Sequence, residues 1–128
     1  MDNPESIRDF LRVLALSYPE VMQEFPWGDV AFKVRKKAFL FMAFKDDEIS
    51  FSVKLPHTGE LALGLPFTAP TEYGLGKHAW VTATIGPGQE TSLDMIASWV
   101  DESYRTIAPS SLVKRIDGAT SAALADSR

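Results

Sequence analysis

Three short apolar segments in the first half of the chain constrain the fold most. Val30, Phe32 and Val34 alternate with Ala31, Lys33 and Arg35, the period-two pattern of a strand with one buried face. Residues 38–44 (AFLFMAF) are apolar throughout, so this segment needs cover on both sides and belongs in the middle of a sheet. Ile49, Phe51 and Val53 then alternate with Ser50, Ser52 and Lys54, giving a third strand with one wet face. The separators, Arg35-Lys36-Lys37 and Asp46-Asp47, are short and polar and leave room only for hairpin turns. The segments predict an antiparallel meander.

Amphipathic helices flank it. Asn3-Pro4-Glu5 supplies a cap, a first-position proline and a first-turn acid, and Ile7, Phe10, Leu11 and Leu14 follow as one apolar stripe. Tyr18-Pro19 ends this helix, because the residue before proline is pushed out of the helical region. An extended stretch around Gln23-Glu24-Phe25 and a turn at Pro26-Trp27-Gly28-Asp29 lead into the meander. Residues 56–76 are broken by Pro56, Gly59, Gly64, Pro66, Pro70, Gly74 and Gly76, with Thr58 placed to cap a short helix through Leu63. Residues 78–85 (HAWVTATI) return to strand alternation, with Trp80, Thr82 and Thr84 opposite Ala79, Val81, Ala83 and Ile85. A second long helix, capped by Thr91 or Ser92, carries Leu93, Ile96, Ala97, Val100, Tyr104 and Ile107 on one stripe and stops before Pro109. Ser110 to Ile116 reads as a last short helical turn. Two amphipathic helices cover only one side of such a sheet, so the expected class is α+β in two layers, an antiparallel β-sheet with N-terminal and C-terminal helices packed on one face. A single domain is expected over residues 1–117, with residues 118–128 a frayed tail.

Composition narrows the function classes. The 128 residues contain no cysteine, which excludes disulfides, a thiolate nucleophile and a cysteine zinc site. No apolar run approaches the roughly 20 residues of a membrane-spanning helix. The start, MDNPESIRDF, has acids where a signal peptide carries basic residues, so a cytoplasmic location is expected. The formal net charge of −4 argues against indiscriminate attraction to nucleic acid or anionic membrane. Its distribution is uneven, however. Residues 1–31 carry two basic and six acidic side chains, residues 32–78 seven and five, and residues 79–128 four and six. A basic middle between acidic flanks permits a local anion-binding face.

Several separate motifs resemble one family. Tyr73-Gly-Leu-Gly-Lys-His-Ala-Trp80-Val, then Asp101-Glu-Ser-Tyr-Arg105, then Ala108-Pro109 with Leu112-Val113, are similar to the MmcQ/YjbR family. Upstream, Phe25-Pro-Trp-Gly28, Phe32-Lys33-Val34 and Lys37-Ala-Phe39 resemble the first hairpin of the same family. The resemblance implies a CyaY-like (frataxin-like) α+β fold and a "double-wing" DNA-binding role, and brings no catalytic residues with it. Many relatives place basic residues between the positions of Pro109 and Leu112, whereas this chain has Ser110-Ser111.

The residues themselves frame two binding hypotheses. With Phe32 and Val34 facing the helices, Lys33 and Arg35 point to the open face, joined by Lys54 from the third strand and Trp80 from the late one. Arg35-Lys36-Lys37 projects as one wing tip and Lys77-His78 as a second. Positive charge, hydroxyls and an aromatic plane together suit DNA. Lysine-rich turns and wet sheet faces also arise simply as protection against edge pairing. Alternatively, the same face serves as a protein- or small-ligand-interaction surface anchored by Trp80, with Trp27 a second aromatic candidate. An enzyme is not expected. His57 and His78 lack partners at metal-ligand spacing, Gly74-Leu-Gly-Lys77 lacks the first glycine and the final hydroxyl of a P-loop, and no GxSxG occurs. Asp2, Glu5 and Asp9 form an acidic ridge at a helix start, which in a frataxin-like fold suits weak metal binding but is more often a solvated complement to the helix dipole. The expectation is a monomer that uses no metal or cofactor.

Overall fold

A computed structural model describes residues 3–25 and 29–126, without the side chains of 119–126. The turn expected at Pro26-Trp27-Gly28-Asp29, and Trp27 with it, lie outside the described residues apart from Asp29. The elements are α1 (Pro4–Ser17), β1 (Val21–Glu24), β2 (Val30–Val34), β3 (Lys37–Lys45), β4 (Glu48–Lys54), α2 (Gly59–Ala62), β5 (Thr68–Pro70), a 3-10 turn (Leu75–His78), β6 (Trp80–Ile85), α3 (Leu93–Ile107) and α4 (Ser110–Asp126). The strands form one antiparallel sheet in the order β1-β2-β3-β4-β6-β5, with α1 and α3 packed on one face. This is the expected two-layer α+β arrangement.

The meander folds as its patterning requires. Arg35 and Lys36 both take positive φ (49° and 70°), as do Asp46 and Asp47 (54° and 61°), the backbone of tight two-residue hairpin turns. β3 and β4 sit at the centre, in register from Leu40↔Val53 to Lys45↔Glu48. Phe32 pairs with Leu40 but Lys33 pairs with Ala38, which leaves Phe39 as an extra residue in β3. That bulge turns both Phe39 and Leu40 into the core, where each is fully buried. Burying each large side chain there, Phe32, Phe39, Phe51 and Ile96 among them, contributes roughly 1.5–3 kcal/mol.

Asn3 caps α1 by accepting from the Ser6 amide at 2.8 Å, while the Ser6 hydroxyl accepts from the Asn3 amide at 3.0 Å. Ser92 caps α3 through the Met95 amide.

The second half of the chain departs from expectation in three places. The late strand begins at Trp80, because His78 belongs to the 3-10 turn and Ala79 has a positive φ of 68°. Within the irregular segment, Thr68–Pro70 pairs with β6 as an edge strand, a position where the missing proline amide costs no ladder bond. The last helix does not stop near Ile116 but runs to Asp126. Among the described residues, no helix is long and apolar enough to cross a membrane.

Candidate functional site

Register decides where the candidate side chains lie. The β2–β3 turn, the end of β4 and the start of β6 all fall at the same end of the sheet, because Lys33 pairs with Ala38 and Lys54 with Trp80. The Leu55 amide donates to the Ala79 carbonyl at 2.8 Å and ties the 3-10 turn to that end. Lys36, Lys37, Lys54, Lys77 and His78, which come from three separate segments, therefore gather along one rim. The two basic turns are separated by the ends of β3, β4 and β6, three strand spacings or roughly 14 Å. Lys36, Lys37, Lys77 and His78 are exposed and Lys54 is half-buried. Among the described residues none of the five makes an ion pair, whereas Lys33 and Arg35 do.

Those pairs limit two of the candidates. Lys33 lies on the open face, but its Nζ is 2.8 Å from a Glu24 carboxylate oxygen on β1. Arg35 binds Glu20 through two hydrogen bonds of 2.7 and 3.0 Å. These bonds hold the Glu20 carboxyl below its ordinary value, with the Arg35 and Arg115 charges adding to the effect against a little desolvation. Arg115 on α4 thus adds a cation close to Glu20 that reading the sequence did not single out.

Trp80 is on the open face by register but only 7% exposed. Its ring packs against that of Phe41, centroids 5.5 Å apart. It therefore presents no free plane for stacking, and the aromatic anchor expected there is packed into the protein.

Next to the rim, the open face carries a groove of about 730 Å3. Phe41, Ser50, Ser52, Thr82 and Thr84 form its floor, and residues 66–73 wall it. Ser52 Oγ and Thr82 Oγ1 are 2.7 Å apart, and Thr82 Oγ1 and Thr71 Oγ1 are 2.9 Å apart. Among the described residues no group of three or more His, Asp or Glu side chains is placed to hold a metal ion.

Residues 16–106 match the YjbR family model. The chain belongs to the YjbR family. Solved structures share the fold, two of which follow. A Deinococcus radiodurans protein with a DUF419 domain matches at 22% identity and TM-score 0.66, covering 78% of this chain and 77% of its own. A Pseudomonas syringae protein matches at 14% identity and TM-score 0.60, covering 78% of this chain and 97% of its own. No curated protein matches the chain.

The segment 101–105, which carries much of the YjbR resemblance, works as a clamp. Asp101 accepts from the Tyr18 hydroxyl at 2.8 Å and from Arg105 Nε at 2.7 Å, and Arg105 also reaches Asp117 at 2.9 Å. Burial first, then the Asp101 hydrogen bond and charge, push the Tyr18 hydroxyl well above its ordinary value, so it stays a donor. Glu102 accepts from the His57 and Thr58 amides at 2.8 and 3.2 Å and from the Thr58 hydroxyl at 2.8 Å. Ser103, fully buried, donates to the Phe39 carbonyl at the bulge (2.5 Å) and accepts from the Lys54 amide (2.9 Å). Tyr104 donates to the Pro19 carbonyl at 2.8 Å and stacks on Tyr18 with centroids 4.5 Å apart. Each of the five side chains fastens α3 to another part of the fold.

Proposed function

We propose that this YjbR protein is a non-enzymatic DNA-binding protein that grips duplex phosphates with the basic rim at one end of its sheet. The observation that carries the reading is the convergence of Lys36, Lys37, Lys54, Lys77 and His78 on that rim, none in an ion pair among the described residues. The Lys36-Lys37 tip and the Lys77-His78 turn act as two contact points roughly 14 Å apart, comparable with the roughly 12 Å width of a major groove. Lys54 lies between them, and Lys33 and Arg35 form a reserve held by Glu24 and Glu20.

The net charge of −4 does not oppose this reading, because the acids are spread unevenly. Asp46, Asp47 and Glu48 lie at the opposite end of the sheet, in the β3–β4 turn. Near the basic end, Glu20 is occupied by Arg35, Glu102 by backbone amides and Asp101 and Asp117 by Arg105, while Glu60 and Glu72 are exposed without an ion pair among the described residues. A duplex approaching rim-first therefore meets a local surplus of cations.

Charge reversal tests the proposal. The double variant Lys36→Glu, Lys37→Glu is expected to lose about tenfold or more in duplex affinity at low salt. Lys45→Glu, at the acidic end, applies half that charge change away from the rim and should leave affinity nearly unchanged. A loss from Lys45→Glu half as large, on a logarithmic scale, as that from the double variant would mean that net charge alone governs binding, and the rim would lose its role.

A further inference from the structure

The groove on the open face differs from the rim in chemistry. The charged residues that line it are Asp29 and Glu72, and no basic side chain lines it among the described residues. Its volume of about 730 Å3 suits a small molecule, for which pockets of roughly 300–1,000 Å3 are usual. Apolar surface comes from Phe41, Phe67 and Pro70.

The hydroxyl chain sets the hydrogen-bonding character. Ser52, Thr82 and Thr71 are linked by two hydrogen bonds, and each hydroxyl has one proton and two lone pairs. Two internal bonds use two of the three protons and two of the six lone pairs. One donor and four acceptor sites remain for a ligand. Thr68 has already committed its proton to the Ala62 and Leu65 carbonyls. Ionised Asp29 and Glu72 can only accept. Ser50 and Thr84 can serve either way, so the surplus of acceptors stands.

An acceptor-rich, negatively lined groove with apolar walls selects against phosphates and carboxylates and in favour of N–H donors. We infer that this groove is a second binding site, separate from the basic rim, for a small organic cation: an amine or amidine whose apolar body rests on Phe41 and Phe67 while its N–H groups reach the Ser52–Thr82–Thr71 hydroxyls and the Asp29 and Glu72 carboxylates. The inference rests on the groove alone and stands whether or not the rim binds DNA.

Three matched probes test it: 2-phenylethylamine (cation), 2-phenylethanol (neutral) and 3-phenylpropanoate (anion). Each is titrated into the full chain and followed by amide chemical shifts of Ser50, Ser52, Thr71 and Thr82. The amine should give saturable shifts at these residues and bind about fivefold or more tighter than the alcohol, with the carboxylate weakest. Glu72→Gln and Asp29→Asn, both at exposed positions whose loss leaves the core intact, should each reduce the preference of amine over alcohol. Thr82→Val should weaken all hydrogen-bonding probes together. No saturable shift with any probe overturns the site. Equal affinity for amine and carboxylate, or a preference unchanged in the Glu72→Gln, Asp29→Asn double variant, overturns its selection of cations. Where the free protein binds duplex DNA, saturation with the amine should leave that affinity unchanged, which separates this site from the rim.

Discussion

On the helix-covered side of the sheet, the side chains of residues 101–105 bond back into the protein; at the sheet's basic end, those of Lys36, Lys37, Lys77 and His78 point away from it. Both regions lie within the stretch that matches the YjbR family model, yet they differ in what their polar atoms are free to do. Every clamp side chain is engaged by another part of the protein, and Ser103 alone joins α3 to two strands. The rim keeps its charges unmatched among the described residues, held in position by turns with positive φ. The difference teaches that a shared motif needs to be sorted by satisfaction before it is assigned a role. Satisfied polar groups maintain the fold, and unsatisfied, exposed ones are available for binding.

Substitutions can break the contrast from either side. The largest effect is expected from Tyr104→Ala, which removes a fully buried ring, its stacking on Tyr18 and the bond to Pro19. It should cost about 3–5 kcal/mol of unfolding free energy in denaturant melts. Ser103→Ala should cost about 1–3 kcal/mol, since the Lys54 amide and Phe39 carbonyl lose their buried partner. Gly76→Ala probes the turn that carries Lys77. A Cβ there would sit 2.8 Å from Pro70 Cβ and 3.2 Å from the Thr71 carbonyl, so about 1–3 kcal/mol of destabilisation is expected, with local shifts in β5. A melt unchanged by Ser103→Ala would show that the clamp is not fastening the sheet.

The smallest effect sharpens the rim side. Glu20→Gln removes the charge that holds Arg35, so duplex affinity should rise about threefold and the salt slope should steepen by about 0.9, one added phosphate contact. Acidification should act in the same direction. Because the folded protein holds the Glu20 carboxyl low, its pairing with Arg35 is complete above the ordinary carboxylate range and is lost as pH falls through the lowered value.

The meander, both long helices and the two-layer class were legible because each rests on periodicity and local turn chemistry. The hairpin tip at Lys36 was legible for the same reason. What stayed hidden depended on contacts distant in sequence. The pairing of Lys33 with Glu24 and of Arg35 with Glu20 follows from a four-residue β1 aligned on β2, a register set by the sheet. Burial of Trp80 needed Phe41 to arrive two strands away. β5 has only three residues and ends in a proline, so no alternation announces it. The end of α4 is rich in Ala and Ser without a strong apolar stripe, which is why it resembled a tail. The groove is a product of all of these together, since residues 66–73 fold against open-face hydroxyls that no local pattern connects to them.

The most direct test of the rim is duplex affinity measured by fluorescence anisotropy across a salt series from about 50 to about 200 mM. With Lys36, Lys37, Lys54 and Lys77 each neutralising one phosphate, log affinity should fall against log salt with a slope near −3.6, a loss of roughly 100-fold over that range. A flat salt dependence, or no binding at the lowest salt with protein at about 100 μM, roughly the upper end of ordinary nonspecific dissociation constants, would contradict the assignment of the rim to DNA.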